Sequence, residues 1–409
     1  MKFRASMICA VLLTFGLQSY AQQADSASQA MLYQRLRRAG FPPGVMTRPY
    51  KPVLGGTQNQ QPSNDAPGHD DSGTFMTFDV SGAGNNTFAF AINPDGAITG
   101  YSSGAGFLRS PNGTITTFHV PGDDNGTYPA AINPAGAITG QWCDVNWVCP
   151  GFLRSPAGTI TIFDVPGEVG GVNPEAINPQ GAITGEYFDA NYVGHGFLRA
   201  SDGTITTIDA PGSVYGTQAF GINPEGTVSG CYSDANFVGH GFVRASNGTL
   251  TEFDVPDSQD LSCGFDYGFF SFPVADVGIN PAGAITGAYF QPIPGNPFGG
   301  NRRGFLRDKD GSFTTFDAVP SPSSPCCTWT FGIAINPAGE IAGWDNDQHD
   351  VNHGFLRAKN GTITILDAPG AGTGHNQGTL VFSISPSGQI AGIYRDANNV
   401  YHGFLWTKH

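Results

Sequence analysis

The stretch Ala176–Gly196, AINPQGAITGEYFDANYVGHG, runs on through FLRASDGTITTIDAPG to Gly212 and is one copy of a unit that recurs along the chain. Its apolar runs are four to six residues long and are punctuated by Gly, Pro, Asn and Asp. That pattern reads as four short strands, here named A to D, and excludes helices of ordinary length. Strand A ends in Ile-Asn, and the following Asn-Pro-x-Gly is a turn in which Pro presets φ, Gly takes the position a side chain would crowd and Asn caps through its side chain. Strand B is Ala-Ile-Thr-Gly plus an aromatic, strand C is Gly-Phe-Leu-Arg, and an Asn-Gly or Asp-Gly hairpin leads into strand D, Thr-Ile-Thr-Thr-Phe-Asp.

The isoleucine of strand A stands at Ile92, Ile132, Ile177, Ile222, Ile279, Ile335 and Ile384. The phenylalanine of strand C stands at Phe107, Phe152, Phe197, Phe242, Phe305, Phe355 and Phe404. Strand D is out of phase: its first copy, Thr74–Val80, precedes every other element, and the sequence given ends on a C strand. Seven full sets therefore form only if the N-terminal D strand joins the last A, B and C strands, which also removes an open sheet edge. The expectation is an all-β, seven-bladed β-propeller of four-stranded blades over 74–409, with copies spaced 40 to 57 residues apart. A right-handed β-helix is the rival, but its rungs are shorter and need no phase offset.

Upstream, Lys2 and Arg4 precede the apolar run Met7–Leu17 and the small-residue site Ser19-Tyr20-Ala21, so 1–21 reads as a secretory signal peptide, too short for a membrane span. Residues 22–73 are rich in Pro, Gly, Gln and Asn apart from a short helical candidate, Gln29–Ala39, and read as a flexible leader. No further stretch is apolar enough to cross a bilayer. A formal charge of −14 opposes nucleic-acid binding, which needs a cationic face. The repeated Arg109, Arg154, Arg199, Arg244, Arg307 and Arg357 close successive C strands and do not make a groove. Six cysteines remain after the signal, an even number suited to an oxidising compartment. Cys143 and Cys149 are a natural pair; Cys231, Cys263, Cys326 and Cys327 leave their connectivity open. Zinc lacks paired C-x-x-C spacing.

Units with I-N-x-x-G followed by G-x-x-x-x-x-x-x-H-x-F-L-[RW] resemble the bacterial extracellular repeats of the HAF family, which take their name from a His-Ala-Phe triplet. Here the triplet is His-Gly-Phe at His195, His240, His353 and His402, while Ala105, Pro150 and Arg303 replace the histidine elsewhere. The resemblance covers Phe75 onward and implies export and a propeller-like fold; it brings no activity or ligand.

Propeller geometry puts the A-to-B and C-to-D turns on one face and the D-to-A and B-to-C loops on the other. The second face carries every length variation, in Pro256–Ala275, Phe290–Arg303, Val319–Phe331 and Pro369–Leu380, and variable loops on a rigid scaffold are where binding chemistry sits. The ligand-binding candidates there are Trp142, Trp147, Tyr192, Phe237, Tyr267, Trp329, Trp344 and Tyr401, because rings beside Asp and Asn suit carbohydrate or peptide; blade packing uses the same rings. Asp-x-Asn pairs open the B-to-C loops, and Asp345, Asp347 and Asp350 are the calcium candidates, with Asx turns as the competing use. The triplet histidines read as structural groups satisfying loop carbonyls.

Nothing catalytic is legible: there is no G-x-S-x-G, no H-E-x-x-H and no phosphate loop, and acid pairs such as Glu186 with Asp189 have no known separation. The function expected is a secreted, monomeric, non-catalytic binding or interaction protein for an extracellular glycan, envelope polymer or protein, with no cofactor beyond possible calcium. The alternative is a propeller enzyme, hydrolase or lyase, acting on polysaccharide.

Overall fold

The computed structural model describes residues 73–80, 86–169, 171–191, 193–236, 238–256, 258, 260–261, 277–293, 296–319 and 329–409. These all belong to one compact body, Asp70–Phe265 with Pro273–His409. The expected signal peptide and leader, together with Tyr192, Phe237, Tyr267, Cys263, Cys326 and Cys327, lie outside them.

The described chain is strands and turns, and among its residues no helix is long and apolar enough to cross a membrane. Strand β1 is Gly73–Phe78. The first unit is β2 (Phe88–Ile92), β3 (Ile98–Ser102), β4 (Ala105–Arg109) and β5 (Ile115–Phe118); the second is β6 (Thr127–Ile132), β7 (Ile138–Trp142), β8 (Gly151–Arg154) and β9 (Ile160–Phe163). The third is β10 (Val172–Ile177), β11 (Ile183–Phe188), β12 (Gly194–Arg199) and β13 (Ile205–Ile208); the fourth is β14 (Gly216–Ile222), β15 (Val228–Ser233), β16 (Gly239–Arg244) and β17 (Leu250–Phe253). After β18 (Asp260–Leu261) come β19 (Val277–Ile279), β20 (Ile285–Ile293), β21 (Asn296–Arg307) and β22 (Phe313–Phe316), then β23 (Trp329–Ile335), β24 (Ile341–Asn346), β25 (Asn352–Arg357) and β26 (Ile363–Leu366). The last are β27 (Gly378–Ile384), β28 (Ile390–Arg395) and β29 (Tyr401–Lys408).

Within each unit neighbouring strands pair antiparallel in chain order, and β1 adds to β29 in the register Gly73↔Lys408 to Phe78↔Gly403. Units are bridged by single parallel pairs, Gly194↔Gly216, Arg302↔Trp329 and Asn352↔Gly378, and every sheet is an open path. The A strands touch in succession: β2 lies against β6, β6 against β10, β10 against β14, β14 against β19, β19 against β23, β23 against β27 and β27 against β2.

The repeated residues explain why each unit folds and how it grips the next. Asn93 Oδ1 accepts the amides of Asp95 and Ala97, which closes the A-to-B turn, and Gly96 sits there at φ 85°. The amide nitrogen of the same side chain reaches the Asn133 carbonyl of the next unit, Asn133 reaches Asn178, and Asn178 reaches Asn223. The D-strand ring of one unit lies between two groups of the following unit. Phe118 meets Phe152 edge-on and lies under the Arg154 guanidinium; Phe163 does the same with Phe197 and Arg199, and Phe78 of β1 with Phe107 and Arg109. Each of the seven C-strand phenylalanines is fully buried. The glycine before it has its own reason: a Cβ on Gly151 or Gly241 would stand 2.5 or 2.3 Å from the Phe163 or Phe253 ring of its own unit. In His-Gly-Phe-Leu-Arg, then, Gly admits one ring, Phe packs on another and Arg covers that second ring by a cation–π contact of about 1 kcal/mol. Desolvation lowers the affinity of Arg109, Arg154, Arg199, Arg307 and Arg357 for their protons, which remain bound at any physiological pH.

Candidate functional site

The B-to-C loops open with Asx turns. Asp144, Asp189, Asp234, Asp347 and Asp396 each accept through Oδ1 the amides two and four residues on. The Val193 amide, with the bonds from Asn191 and His195, holds the Asp189 carboxyl below its usual range, and the Val238 amide acts alike on Asp234. Each triplet histidine stands between two aspartates. Nδ1 of His195 is 2.7 Å from Asp209 at the end of strand D, and Nε2 is 3.7 Å from Asp189. His240, His353 and His402 repeat this with Asp254 and Asp234, Asp367 and Asp347, and Asp79 and Asp396. Where Arg303 replaces histidine, it forks onto Asp317 at 2.8 Å and reaches Gln291, so a cation keeps the same tie. In three units a tyrosine stacks on the imidazole: Tyr187 on His195, Tyr232 on His240 and Tyr394 on His402. Burial, followed by the neighbouring Glu252, pushes the Tyr232 phenol up to about 12.

The sixth unit departs from this pattern. Asp345 occupies the tyrosine's position opposite His353, is fully buried and accepts the Thr330 hydroxyl. Burial raises its carboxyl to about 7, against the opposing pull of Thr330 and His353. The Asp367 bond, outweighing desolvation, raises His353. Asp347 is engaged in its own turn, while Asp350 pairs with His375 at 3.0 Å. Among the described residues no three His, Cys, Asp or Glu side chains are grouped to hold a metal ion.

The aromatic candidates that are described have distinct neighbours. Trp142 packs in the cluster around Ile138 and Phe152 with its indole nitrogen buried and unbonded. Trp344 stacks on Phe331 at 4.3 Å, Trp329 lies under Arg302, and Tyr401 lies tilted against Phe88 under Arg395. Trp147 tops the loop closed by the Cys143–Cys149 disulfide, at φ 61°, between the exposed Val145 and Val148. Cys231 is also disulfide-bonded, so its partner is a cysteine outside the described residues.

With the repeated residues absorbed by structure, the chemistry that differs between units lies one layer inward. Six of the A strands, all but the described part of β19, carry a bulge, for instance between Ala89 and Ala91 or Pro174 and Ala176, that pairs the fourth residue before the Ile-Asn isoleucine (Ile-Ser in the last unit) with the third residue after the B-strand isoleucine or valine. The pairs are Phe88 with Tyr101, Tyr128 with Gln141, Asn173 with Glu186, Gln218 with Cys231, Phe331 with Trp344 and Leu380 with Ile393. Around the first unit this layer is a chain of rings: Phe88 stacks on Tyr101 at 4.8 Å, Tyr101 meets Tyr128 edge-on at 5.1 Å, and Phe90 lies tilted against Phe382 at 5.5 Å. Between the third and fourth units it is polar. Glu186, only 7% exposed, accepts Asn173 Nδ2 at 2.9 Å and, across the seam, Gln218 Nε2 at 2.7 Å. Gln218 is 6% exposed, and its Oε1 has no hydrogen-bond partner. Glu175 follows two residues after Asn173 on the same strand. The acid pair read from sequence is not one site: Glu186 bonds Asn173 and Gln218, while Asp189 closes its turn beside His195.

No protein-family model matches the chain, and no characterised protein matches it in sequence. Solved structures do. A streptogramin B lyase superposes with a TM-score of 0.51 at 16% identity, over 82% of this chain and 98% of that one. The β-propeller domain of the trilobed protease of Pyrococcus furiosus gives 0.51 at 7% identity, over 79% and 97%. The virginiamycin B lyase of Staphylococcus aureus gives 0.51 at 14% identity, over 82% and 99%. The fold is a β-propeller. At such identities the likeness speaks for the fold alone. The four-stranded units are its blades, the Arg–Phe contacts clamp adjacent blades, and the Glu186–Gln218 bond crosses the seam between the third and fourth.

Proposed function

We propose that the chain is an exported, non-catalytic binding propeller of seven blades, closed by β1 completing the blade of β27, β28 and β29, and built from HAF-type repeats. Support for the closure comes from the β1–β29 register, the unbroken succession of A-strand contacts returning from β27 to β2, and the clamp of Arg109 over Phe78. Export agrees with the signal-like Met1–Ala21 and the Cys143–Cys149 disulfide.

The ligand class proposed is a carbohydrate or envelope polymer, with the layer around Glu186 as the site. The observation that carries this is the polar group of half-buried Asn173 with buried Glu186 and Gln218: Asn173 and Gln218 stand where the A strands of other described blades place Phe, Tyr or Leu, and the group is left with an unused acceptor. A blade seam holds without such a group, as the edge-on Tyr101–Tyr128 contact between the first and second units shows, and an unsatisfied buried acceptor costs about 1–3 kcal/mol. Polar side chains kept at that cost match the hydrogen-bonding chemistry of a sugar site.

The test is a thermal-shift and calorimetric screen of the purified protein against neutral, N-acetylated, amino and acidic oligosaccharides, each with calcium or chelator. A ligand that raises the melting temperature and loses that effect in Glu186→Gln supports the reading. A flat panel removes it, and new reducing ends or unsaturated products would replace it with an enzyme.

A further inference from the structure

Resting on that site, we propose that its ligand presents a protonated primary amine, seated against Glu186 and Gln218. Glu186 is nearly enclosed, and among the described residues it has no ion pair: both its partners are neutral amides. A carboxylate held away from water without a counter-charge draws a cation. The amides leave one lone-pair direction free on each Glu186 oxygen, and Gln218 Oε1 is wholly unused. Those three acceptors match the three N–H donors of an ammonium group. A sugar hydroxyl offers a single donor and no charge. A guanidinium needs both carboxylate oxygens presented in one plane, but these are already engaged from two different strands, β10 and β14. Calcium takes six to eight oxygens, more than this group supplies.

The same ammonium chemistry is offered by the amino sugar of a deacetylated glycan and by a free polyamine. Isothermal titration at neutral pH and low salt separates them with three probes: a glucosamine hexasaccharide, its fully N-acetylated counterpart and spermidine. The expected result is binding of the glucosamine hexasaccharide, at least tenfold weaker binding of the acetylated one, and at least a tenfold loss in both Glu186→Gln and Gln218→Leu, with far-ultraviolet circular dichroism unchanged. Equal binding of both hexasaccharides, lost in Glu186→Gln, overturns the amine and leaves the glycan reading standing; equal binding unaffected by Glu186→Gln overturns the Glu186 site as well and leaves only the glycan class. Binding of spermidine alone, lost in Glu186→Gln, keeps the amine and overturns the glycan. No binding of any probe overturns both.

Discussion

The first and third blades place different chemistry at the same two positions of one repeat. In the first, Phe88 faces Tyr101 and a chain of rings runs to Tyr128 in the next blade; in the third, Asn173 faces Glu186 and an amide bond runs to Gln218. Backbone register, bulge and clamp are shared, so the contrast isolates what the side chains do. Rings bury apolar area and hold the seam by dispersion; the polar group gives up that gain for directional bonds and leaves an acceptor open. One seam is closed by rings; on the function proposed above, the other is left to recognise a ligand.

The largest expected break of this contrast is Phe88→Ala, which opens a cavity in the ring sector and should cost about 3–5 kcal/mol, read as a falling denaturation midpoint. Next is the other buried carboxylate, Asp345, which lacks the two amide donors that Glu186 has. Because its folded value of about 7 lies above the usual 3.8, its contribution is complete below pH 4 and is lost as pH rises toward 7, at about 1.4 kcal/mol per unit. Asp345→Asn keeps the Thr330 bond and should flatten the melting temperature between pH 4 and 7. A separate slope above about pH 6.5 should come from His353, whose raised value gives stability that is complete below pH 6.5 and lost as pH climbs through its folded value. Smaller still, Arg109→Gln and Arg199→Gln should each cost about 1 kcal/mol and agree closely, since one clamps the ring sector and the other the polar sector. A marked difference in calorimetry would mean that the two sectors diverge beyond the inner layer. Smallest of all, Glu186→Gln should move stability by less than about 1 kcal/mol while abolishing ligand-induced stabilisation.

The repeat was legible because its turn chemistry is local: Asn93, Gly96 and their counterparts announce each A-to-B turn from four adjacent letters. The Asx role of Asp189 and Asp234 was readable for the same reason. The Arg–Phe clamp was not, since Arg154 and Phe118 meet only after blades stack. The inner layer was hidden twice over. The bulge in β10 breaks the two-residue alternation, so Asn173 and Glu186 cannot be assigned to one face by counting, and one of the two donors to Glu186 comes from another blade. Trp344 and Tyr401 were singled out for ring chemistry alone, which does not distinguish a platform from packing on Phe331 or Phe88. The one available signal was comparative: aligning the seven copies shows polar letters at 173, 186 and 218 where most of the others are apolar.

The pairing of β1 with β29 also sets the order of events in time. Its partners stand up to 335 residues apart, so this ladder cannot form until nearly the whole described chain has emerged, and its loop-closure entropy is met late. Until then the outer edge of β29 stays unpaired although β29 already has β28, and an intermediate with an open sheet edge is prone to pair with another chain. Joining His409 to Gly73 by a short turn and cutting at an A-to-B turn would turn that distant ladder into a local hairpin and should speed the final folding step.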